Sequence, residues 1–238
     1  MFAVAGACAA PATTTVPRGL AAAEPPAAPA GCEYRQRSTN VRKGPSTGRR
    51  IALTFDDGPS AYTARVLDVL ERERVPATFF IQAEHVAGRE SVLARMLADG
   101  HMIGNHSFTH VDLSTASGPR LTQIDDTQAT IKAATGFTPC LIRPPYGRTS
   151  KKLLAALARR HLTSTLWSVN PQDFLRPGTA KIKQRVLAAV KPGAIVLTHD
   201  GGGNRSQTLA AIPSIIRTLK ARGYTFVTVT GLLGLRVS

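Results

Sequence analysis

From residue 49 onward, short apolar segments alternate with amphipathic ones, and this alternation constrains the fold more than any other feature of the chain. Seven apolar segments are predicted as β-strands, at residues 51–55, 77–81, 102–105, 141–143, 164–169, 194–198 and 224–229. The amphipathic segments between them are predicted as helices, at residues 62–74, 89–99, 120–135, 149–160, 179–190 and 206–222. Strands that alternate with helices favour a parallel sheet. We therefore expect an α/β fold, a distorted (β/α) barrel with about seven parallel strands.

The first 48 residues differ in composition from the rest of the chain. An apolar start at residues 1–10 is followed by a Pro-, Ala- and Thr-rich tract to about residue 30, with a small-residue cleavage site at 28–30. This pattern is typical of a secretory signal whose basic part is missing. We interpret residues 1–48 as a signal-like segment plus flexible linker and residues 49–238 as one domain. The protein is expected to be secreted or cell-wall associated. The chain has no apolar run of about 18 residues or more, so we expect no membrane span.

The three cysteines are Cys8, Cys32 and Cys140. Removal of the signal-like segment would leave Cys32 and Cys140. An even pair in an exported protein indicates one disulfide bond. Two unrelated free thiols fit the sequence equally well.

The chain is strongly basic, with 30 Lys and Arg residues against 15 Asp and Glu residues and a formal net charge of +15. Such a charge fits either nucleic acid or an anionic surface such as a bacterial cell wall. The basic residues are scattered, and no RNP-like or aromatic-interleaved motif accompanies them. We therefore expect no nucleic-acid partner and favour the anionic cell-wall surface. A solvated basic face without a partner is the alternative.

Two adjacent carboxylates, Asp56 and Asp57, follow the first predicted strand and precede a Gly-Pro break. Adjacent carboxylates repel each other, so a metal ion or an arginine is expected beside them. His106 and His110 are spaced so that both rings can reach one ion, and a carboxylate from Asp56 or Asp57 would complete a two-histidine, one-carboxylate set. Nitrogen and oxygen ligands without cysteine suggest Zn²⁺, although Co²⁺, Ni²⁺ or Fe²⁺ also fit.

Other candidate residues share a position with these groups, because each lies at or just beyond the end of a predicted strand. They are Arg143, Asp173 and His199. In a (β/α) barrel the carboxyl ends of the strands converge on one mouth, where active sites lie. Arg143 would keep a catalytic carboxylate ionised and oriented. His199 is a candidate proton donor, and Asp173 could raise its pKa.

The loop after the fourth predicted strand reads Arg-Pro-Pro-Tyr-Gly at residues 143–147. Its two prolines remove backbone donors and stiffen the loop. We expect this loop to point the N–H group of Tyr146 into the site, where it could stabilise an oxyanion.

Five segments of the chain, taken in order, resemble the motifs of a known family. They are Thr-Phe-Asp-Asp-Gly-Pro, His-Ser-x-x-His, Arg-x-Pro-Tyr, the segment 167–174 and Leu-Thr-His. The chain is similar in these motifs, over about residues 50–230, to the NodB-type polysaccharide deacetylases, carbohydrate esterase family 4. The resemblance implies a distorted (β/α) barrel that removes acetyl groups from N-acetylglucosamine polymers or from acetylxylan.

The resemblance also implies a role for each matching residue. Asp56 would be the general base, and the metal ligands would be Asp57, His106 and His110. Arg143 would steady Asp56, and Tyr146 would supply the oxyanion N–H. His199 would be the acid, tuned by Asp173. Leu197 would line the pocket for the acetyl methyl group.

The fourth motif departs from the usual family pattern, Asp-x-x-Asp-Trp. Asn170 stands where an aspartate is usual, and Phe174 stands where a tryptophan is usual. Phe174 keeps an aromatic wall for a sugar but loses the indole N–H. Trp167 is either a sugar platform or part of a strand, and we favour the strand. The three glycines at 201–203 are interpreted as a flexible rim loop and His85 as structural.

The favoured hypothesis is a secreted, metal-dependent hydrolase, with zinc as the first choice of metal, that acts as a monomer on N-acetylglucosamine-containing polysaccharide, such as chitin oligomers or peptidoglycan. An acetylxylan O-deacetylase on the same scaffold is the enzymatic alternative. A non-catalytic cell-wall-binding protein is the alternative from another class.

Overall fold

The computed structural model describes residues 1–3, 30–35, 39–115 and 118–238. Most of the predicted signal-like segment, including Cys8, lies outside these residues. Within the described part of the chain, no helix combines the length and the apolar content that crossing a bilayer requires.

The described residues form a seven-stranded sheet in which every strand pairing is parallel. The strands are β1 Arg50–Asp56, β2 Thr78–Ile81, β3 Met102–Asn105, β4 Leu141–Ile142, β5 Thr163–Ser164, β6 Ile195–His199 and β7 Thr225–Phe226. They are ordered β5-β4-β3-β2-β1-β6, and β7 pairs with the first residues of β1. The predicted parallel (β/α) architecture is confirmed.

Helices follow the strands as predicted. They are α1 Thr63–Glu73, α2 Glu90–Ala98, α3 Thr122–Thr135, α4 Lys151–Arg159, α5 Thr179–Ala189 and α6 Ser206–Ala221. A short helix that was not predicted, α7 Val229–Leu233, replaces the end of the last expected strand. Thr228 begins it by accepting a hydrogen bond from the N–H of Gly231, at 3.0 Å. Such a cap stabilises a helix start, so the strand ends at Phe226.

Burial explains why the strands read as nearly continuous apolar runs. All residues of β1 after Arg50 are buried, and all four residues of β2 are buried. A parallel sheet with helices packed against it is covered on both faces, so its strands do not alternate in polarity. Helix α1 contributes Val66, Leu67 and Leu70 to this core at helical spacing.

The sheet curls into a half-barrel, and isolated bridges span its open side between β5 and β6. The predicted strand 164–169 is a regular strand only at its start, since β5 ends at Ser164. Beyond it, Val169 pairs with Val196 of β6, and Thr165 pairs with Val41 from the N-terminal segment. The chain therefore leaves the edge of the sheet and crosses towards β6, which accounts for the shorter strand.

Part of the segment expected as a linker bonds to the barrel. The N–H of Val41 donates to the carbonyl of Ser164 at 2.8 Å, and the N–H of Gly44 donates to that of Gly193 at 2.8 Å. Further upstream, Cys32 forms a disulfide with Cys140, so the pairing of these two cysteines is confirmed.

Candidate active site

The carboxyl ends of the strands surround a cavity of 390 Å³. Strand register brings its residues together: Asp56, the last residue of β1, lies opposite His199, the last residue of β6. The cavity is lined by three carboxylate or amide side chains, three imidazoles and five other residues: Asp56, Asp57, Asn170, His106, His110, His199, Pro144, Tyr146, Trp167, Phe174 and Leu197. The six carboxylate, amide and imidazole residues, all discussed from the sequence, thus share one mouth with these five.

Arg143 lies behind the cavity wall and holds Asp56. The guanidinium is fully buried and donates to Asp56 Oδ1 at 2.6 Å and to Thr54 Oγ1 at 2.8 Å. It also donates to two backbone carbonyl oxygens, those of Thr165 at 3.1 Å and Leu166 at 3.2 Å. Burial lowers the pKa of Arg143, and the adjacent Asp56 carboxylate partly offsets that effect. The ion pair fixes one oxygen of Asp56 and leaves Oδ2 for another partner.

Asp57, His106 and His110 form the group of side chains that could hold a metal ion. Asp57 Oδ1 lies 3.3 Å from His106 Nε2 and 3.4 Å from His110 Nε2. The three potential ligand atoms are all within 4.8 Å of one another. Distances of this size allow one cation to contact all three groups.

The hydrogen bond of His106 shows which of its two ring nitrogens could bind a metal ion. Its Nδ1 lies 2.5 Å from the carbonyl oxygen of Arg143, which can only accept a hydrogen bond. Nδ1 therefore carries a proton, and neutral His106 would present the lone pair of Nε2 to Asp57 Oδ1. That oxygen is buried and accepts no hydrogen bond from the described residues. A lone pair facing an unpartnered carboxylate oxygen needs a proton or a cation between them, so the donor set fits a metal ion.

The electrostatics of this group agree with a site that attracts positive charge. Burial alone would raise the pKa of Asp57, but the nearby imidazoles of His106, His199 and His110 hold it below its usual range. Burial lowers the pKa of His106, but Asp56 and Asp57 outweigh it and raise that pKa overall. Burial and the nearby His106 lower the pKa of His110.

His199 and Asp173 form a second hydrogen-bonded pair at the cavity. His199 Nδ1 donates to Asp173 Oδ1 at 2.8 Å, and the backbone N–H of His199 donates to Asp173 Oδ2 at 2.9 Å. Thr208 Oγ1 also donates to Asp173 Oδ2, at 2.8 Å. Burial opposes the charged imidazole, but the hydrogen bond and charge of Asp173 outweigh it and raise the pKa of His199. The pair leaves Nε2 as the free ring nitrogen of His199.

Tyr146, Leu197 and Phe174 complete the wall. Leu197 is buried, whereas Tyr146 and Phe174 are 61% and 43% exposed at the rim. The Tyr146 ring packs edge-on against His110, with 4.6 Å between centroids, and Phe174 packs edge-on against His199 at 5.6 Å. These exposed aromatic rings offer stacking surfaces for a sugar ring.

Several residues of the site have left-handed backbone conformations that only glycine adopts without strain. The φ angles are 71° at Asp57, 66° at Ser107, 59° at His110 and 62° at Tyr146. Strained residues of this kind persist only where the surrounding contacts fix them. Four of the eight non-glycine residues with positive φ in the described part of the chain therefore lie at or beside this cavity.

The structure corrects two interpretations made from the sequence. Trp167, which we favoured as part of a strand, lies in the cavity wall beyond the end of β5. The loop of glycines at 201–203 is not a loose rim loop at Gly201, where a Cβ would lie 1.9 Å from the carbonyl oxygen of Asp57. A Cβ on Gly202 would lie 2.6 Å from Asp57 Oδ2. These two glycines are needed because the loop packs directly against Asp57.

Two residues near Asp57 were missed from the sequence. His85, interpreted only as structural, has its Nδ1 3.1 Å from the carbonyl oxygen of Asp57. Asp200 is fully buried, and its carboxylate lies where a Cβ on Gly58 would clash with it. Burial, together with the charges of Asp57 and Asp56, raises the pKa of Asp200 to about 7. Both residues follow strands at the same end of the sheet, and that position was the available signal.

A comparison with family models supports the resemblance read from the motifs. The model described as polysaccharide deacetylase matches residues 43–164. The chain is 40% identical over 190 residues to a chitooligosaccharide deacetylase of Bradyrhizobium sp. (strain ANU 289), and the alignment covers 74% of this chain and 87% of that protein.

Solved structures show the same fold. The Bc1960 peptidoglycan N-acetylglucosamine deacetylase, solved in complex with 4-naphthalen-1-yl-N-hydroxybenzamide, has a TM-score of 0.79 and 31% identity, covering 82% of this chain and 92% of that chain. BA3943 of Bacillus anthracis, a CE4 family pseudoenzyme, has a TM-score of 0.76 and 28% identity, covering 82% of this chain and 69% of that chain.

The geometry of the site agrees with the family match and with the relatives. The motifs that carry the resemblance are those whose side chains meet in the cavity at the ends of the strands. The chain belongs to the polysaccharide deacetylase family.

Proposed function

We propose that this protein is a divalent-metal-dependent hydrolase that removes acetyl groups from N-acetylglucosamine-containing polysaccharide. One observation carries the proposal: the unpartnered oxygen of Asp57 faces the imidazoles of His106 and His110, in the same cavity that Asp56 and His199 line. The relatives named above act on chitooligosaccharide and on peptidoglycan according to their names, and these two polymers are the proposed substrate classes.

Asp57, His106 and His110 would hold the metal ion, and zinc is proposed because the donor set has nitrogen and oxygen atoms only. Cobalt or another divalent metal would fit the same donors. When bound, such an ion polarises a carbonyl group and lowers the pKa of water.

Asp56 is proposed as the general base. Its Oδ1 is held by Arg143, so Oδ2 is left to accept a proton from the attacking water. The buried guanidinium holds the carboxylate by a charge-assisted hydrogen bond and prevents it from turning away. Water then adds to the acetyl carbon, and the proton it loses passes to Asp56.

His199 is proposed as the general acid. Its Nδ1 is fixed by Asp173, so protonated His199 can donate the Nε2 proton to the leaving nitrogen as the amide C–N bond breaks. The raised pKa of His199 keeps it protonated to a higher pH than a free imidazole. The products are acetate and an amino sugar.

The remaining wall would position the substrate. Leu197 is proposed to contact the acetyl methyl group, because it is the buried apolar side chain of the cavity nearest His199 in sequence. The backbone N–H of Tyr146 is proposed to donate to the developing oxyanion. Phe174 would stack on a sugar ring from the rim.

Secretion or association with the cell wall is proposed from the extracellular substrate classes and from the predicted signal-like segment. The net charge of +15 would concentrate the protein at an anionic wall without specifying a site on it. A monomer is sufficient for the chemistry, because every proposed catalytic group comes from one chain.

The proposal is tested by measuring acetate release from chitin oligomers, peptidoglycan and acetylated xylan, with and without a chelator. We expect release from the first two substrates that stops on chelation and returns with zinc. Greater release from xylan would favour the O-deacetylase alternative. No release from any of them would favour the non-catalytic wall-binding alternative, for which the pseudoenzyme BA3943 is a structural precedent.

Two variants separate the proposed roles. Asp56→Asn should lower kcat by about 10²–10⁴-fold while zinc still binds, since Asp56 is not a proposed ligand. His106→Ala should lose zinc. Asp125→Asn, on the surface of α3, is the control and should retain activity. Normal acetate release by Asp56→Asn would contradict its assignment as the base.

A further inference from the structure

The conformation of Asp57 is unfavourable by itself and depends on the contacts around its backbone. With φ at 71°, Asp57 has the left-handed conformation that is sterically unfavourable for a residue with a side chain. This conformation turns the carboxylate towards His106 and His110. If Asp57 relaxed to a right-handed or extended conformation, its carboxylate would leave the other two side chains.

In the part of the chain that the structure describes, the side chain that donates to the backbone of Asp57 is that of His85. Its Nδ1 lies 3.1 Å from the Asp57 carbonyl oxygen. A carbonyl oxygen can only accept, so Nδ1 carries the proton and donates it. On another side of the same carbonyl group lies the Cα of Gly201, close enough that no side chain fits there. The Asp57 carbonyl group is therefore held between a hydrogen-bond donor and a packed backbone.

The short 3₁₀ turn that carries His85, Ala83–His85, is itself joined to both metal-site loops. The N–H of Gln82, just before it, donates to the carbonyl of Gly58 at 2.9 Å. The N–H groups of Ala83 and Glu84 donate to the carbonyls of Ser107 and Phe108, at 3.2 and 3.1 Å. The turn thus links the loop of Asp57 to the loop between His106 and His110.

We propose that His85 is a positioning residue for the metal site, because its Nδ1–H hydrogen bond to the Asp57 carbonyl oxygen keeps the Asp57 carboxylate aligned with His106 and His110. The inference rests on the proposed function of these three residues as metal ligands. Outer-shell partners of metal ligands typically change metal affinity by about 10–100-fold when they are removed. His85 is not among the residues that line the cavity, so its proposed effect on the metal site acts through Asp57.

The experiment measures the dissociation constant of Zn²⁺ by titration calorimetry on the chelator-treated full chain. His85→Ala should bind Zn²⁺ about tenfold more weakly than the unsubstituted protein. His85→Asn should bind it nearly as tightly, because the asparagine amide nitrogen can occupy the position of Nδ1. His85→Gln, whose amide lies one methylene further out, should be as weak as His85→Ala.

His161→Asn is the matched control, since His161 stacks on Tyr34, at 5.3 Å between ring centroids, and its substitution should leave zinc affinity unchanged. Thermal melts of the zinc-free proteins establish whether each variant is folded. If His85→Ala does not fold, the comparison of the Asn and Gln variants decides, because both carry the same polar group.

The inference is overturned if His85→Ala binds Zn²⁺ as tightly as the unsubstituted protein, or if the Asn and Gln variants bind with equal affinity. A different result marks failure of the proposed function itself: the unsubstituted protein would then bind no divalent metal, and the inference would fall with it.

Discussion

Replacing Arg143 with methionine tests whether the Asp56–Arg143 pair is coupled as strongly as its burial implies. Methionine keeps much of the length and apolar volume of the arginine stem but removes the guanidinium. Arg143 is fully buried and Asp56 is 2% exposed, so the substitution leaves the Asp56 carboxylate buried without a counter-charge. The carbonyl groups of Thr165 and Leu166 also lose their donor.

Breaking a buried ion pair by removing one partner costs about 3–5 kcal/mol, because an uncompensated charge remains in the interior. For a domain of this size, that loss in the free energy of unfolding lowers Tm by roughly 6–20 °C. The double variant Arg143→Met/Asp56→Asn should recover a large part of the loss, since its interior holds no unpaired charge. The coupling energy from the double-mutant cycle should therefore exceed about 2 kcal/mol.

The assay is denaturant unfolding of the four proteins of the cycle, in the presence of a chelator so that metal binding does not contribute. The Arg160–Asp125 pair on the surface is a matched control, because its N–O distance is also 2.6 Å but Asp125 is half exposed. Its coupling energy should be no more than about 1 kcal/mol.

Equal coupling energies in the two cycles would refute the reasoning. Such a result would mean that the short distance alone, and not the removal of both groups from water, determines how strongly Arg143 and Asp56 are coupled.

Three further predictions concern the proton donor, the glycine loop and the metal. Asp173→Asn should lower the pKa of His199 and move the alkaline limb of the pH–kcat profile to lower pH, since the donor is lost as pH rises through that pKa; an unmoved limb would show that another group donates. Gly201→Ala should cost about 1–3 kcal/mol in denaturant unfolding and weaken zinc binding, because its Cβ would overlap the backbone of Asp57; unchanged zinc affinity would contradict the packing argument. Adding zinc at about 100 times its dissociation constant should stabilise the chelated protein by about 2.7 kcal/mol, seen as a higher Tm, whereas no shift would argue against binding.

Features that depend on local sequence could be predicted well. Strand β3 was predicted with its observed bounds, because Met102–Asn105 is a short apolar run that ends at polar residues. The residues at strand ends, such as Asp56 and His199, were predicted to meet because parallel strands expose their carboxyl ends on one side. That reasoning needs only the direction of the strands.

Features that depend on distant contacts could not be predicted. The end of β5 at Ser164 follows from the pairing of Thr165 with Val41 and of Val169 with Val196, and neither partner is near in sequence. The requirement for glycine at position 201 arises from the backbone of Asp57, well over a hundred residues away. His85 has the same explanation, since its only signal was its position after a strand.

The backbone contacts of Ala30 show on which side of the barrel Ala30 and the C-terminal residue, Ser238, lie. The carbonyl of Ala30 accepts from the N–H of Thr138 at 2.9 Å, and the N–H of Ala30 donates to the carbonyl of Ser238 at 2.6 Å. Thr138 precedes β4, so both contacts are on the side of the sheet opposite the cavity, where the Cys32–Cys140 bond also lies. A tag or neighbouring domain fused after Ser238 would therefore start behind the barrel, and a long polymer could cross the open front of the cavity without contacting the attachment point.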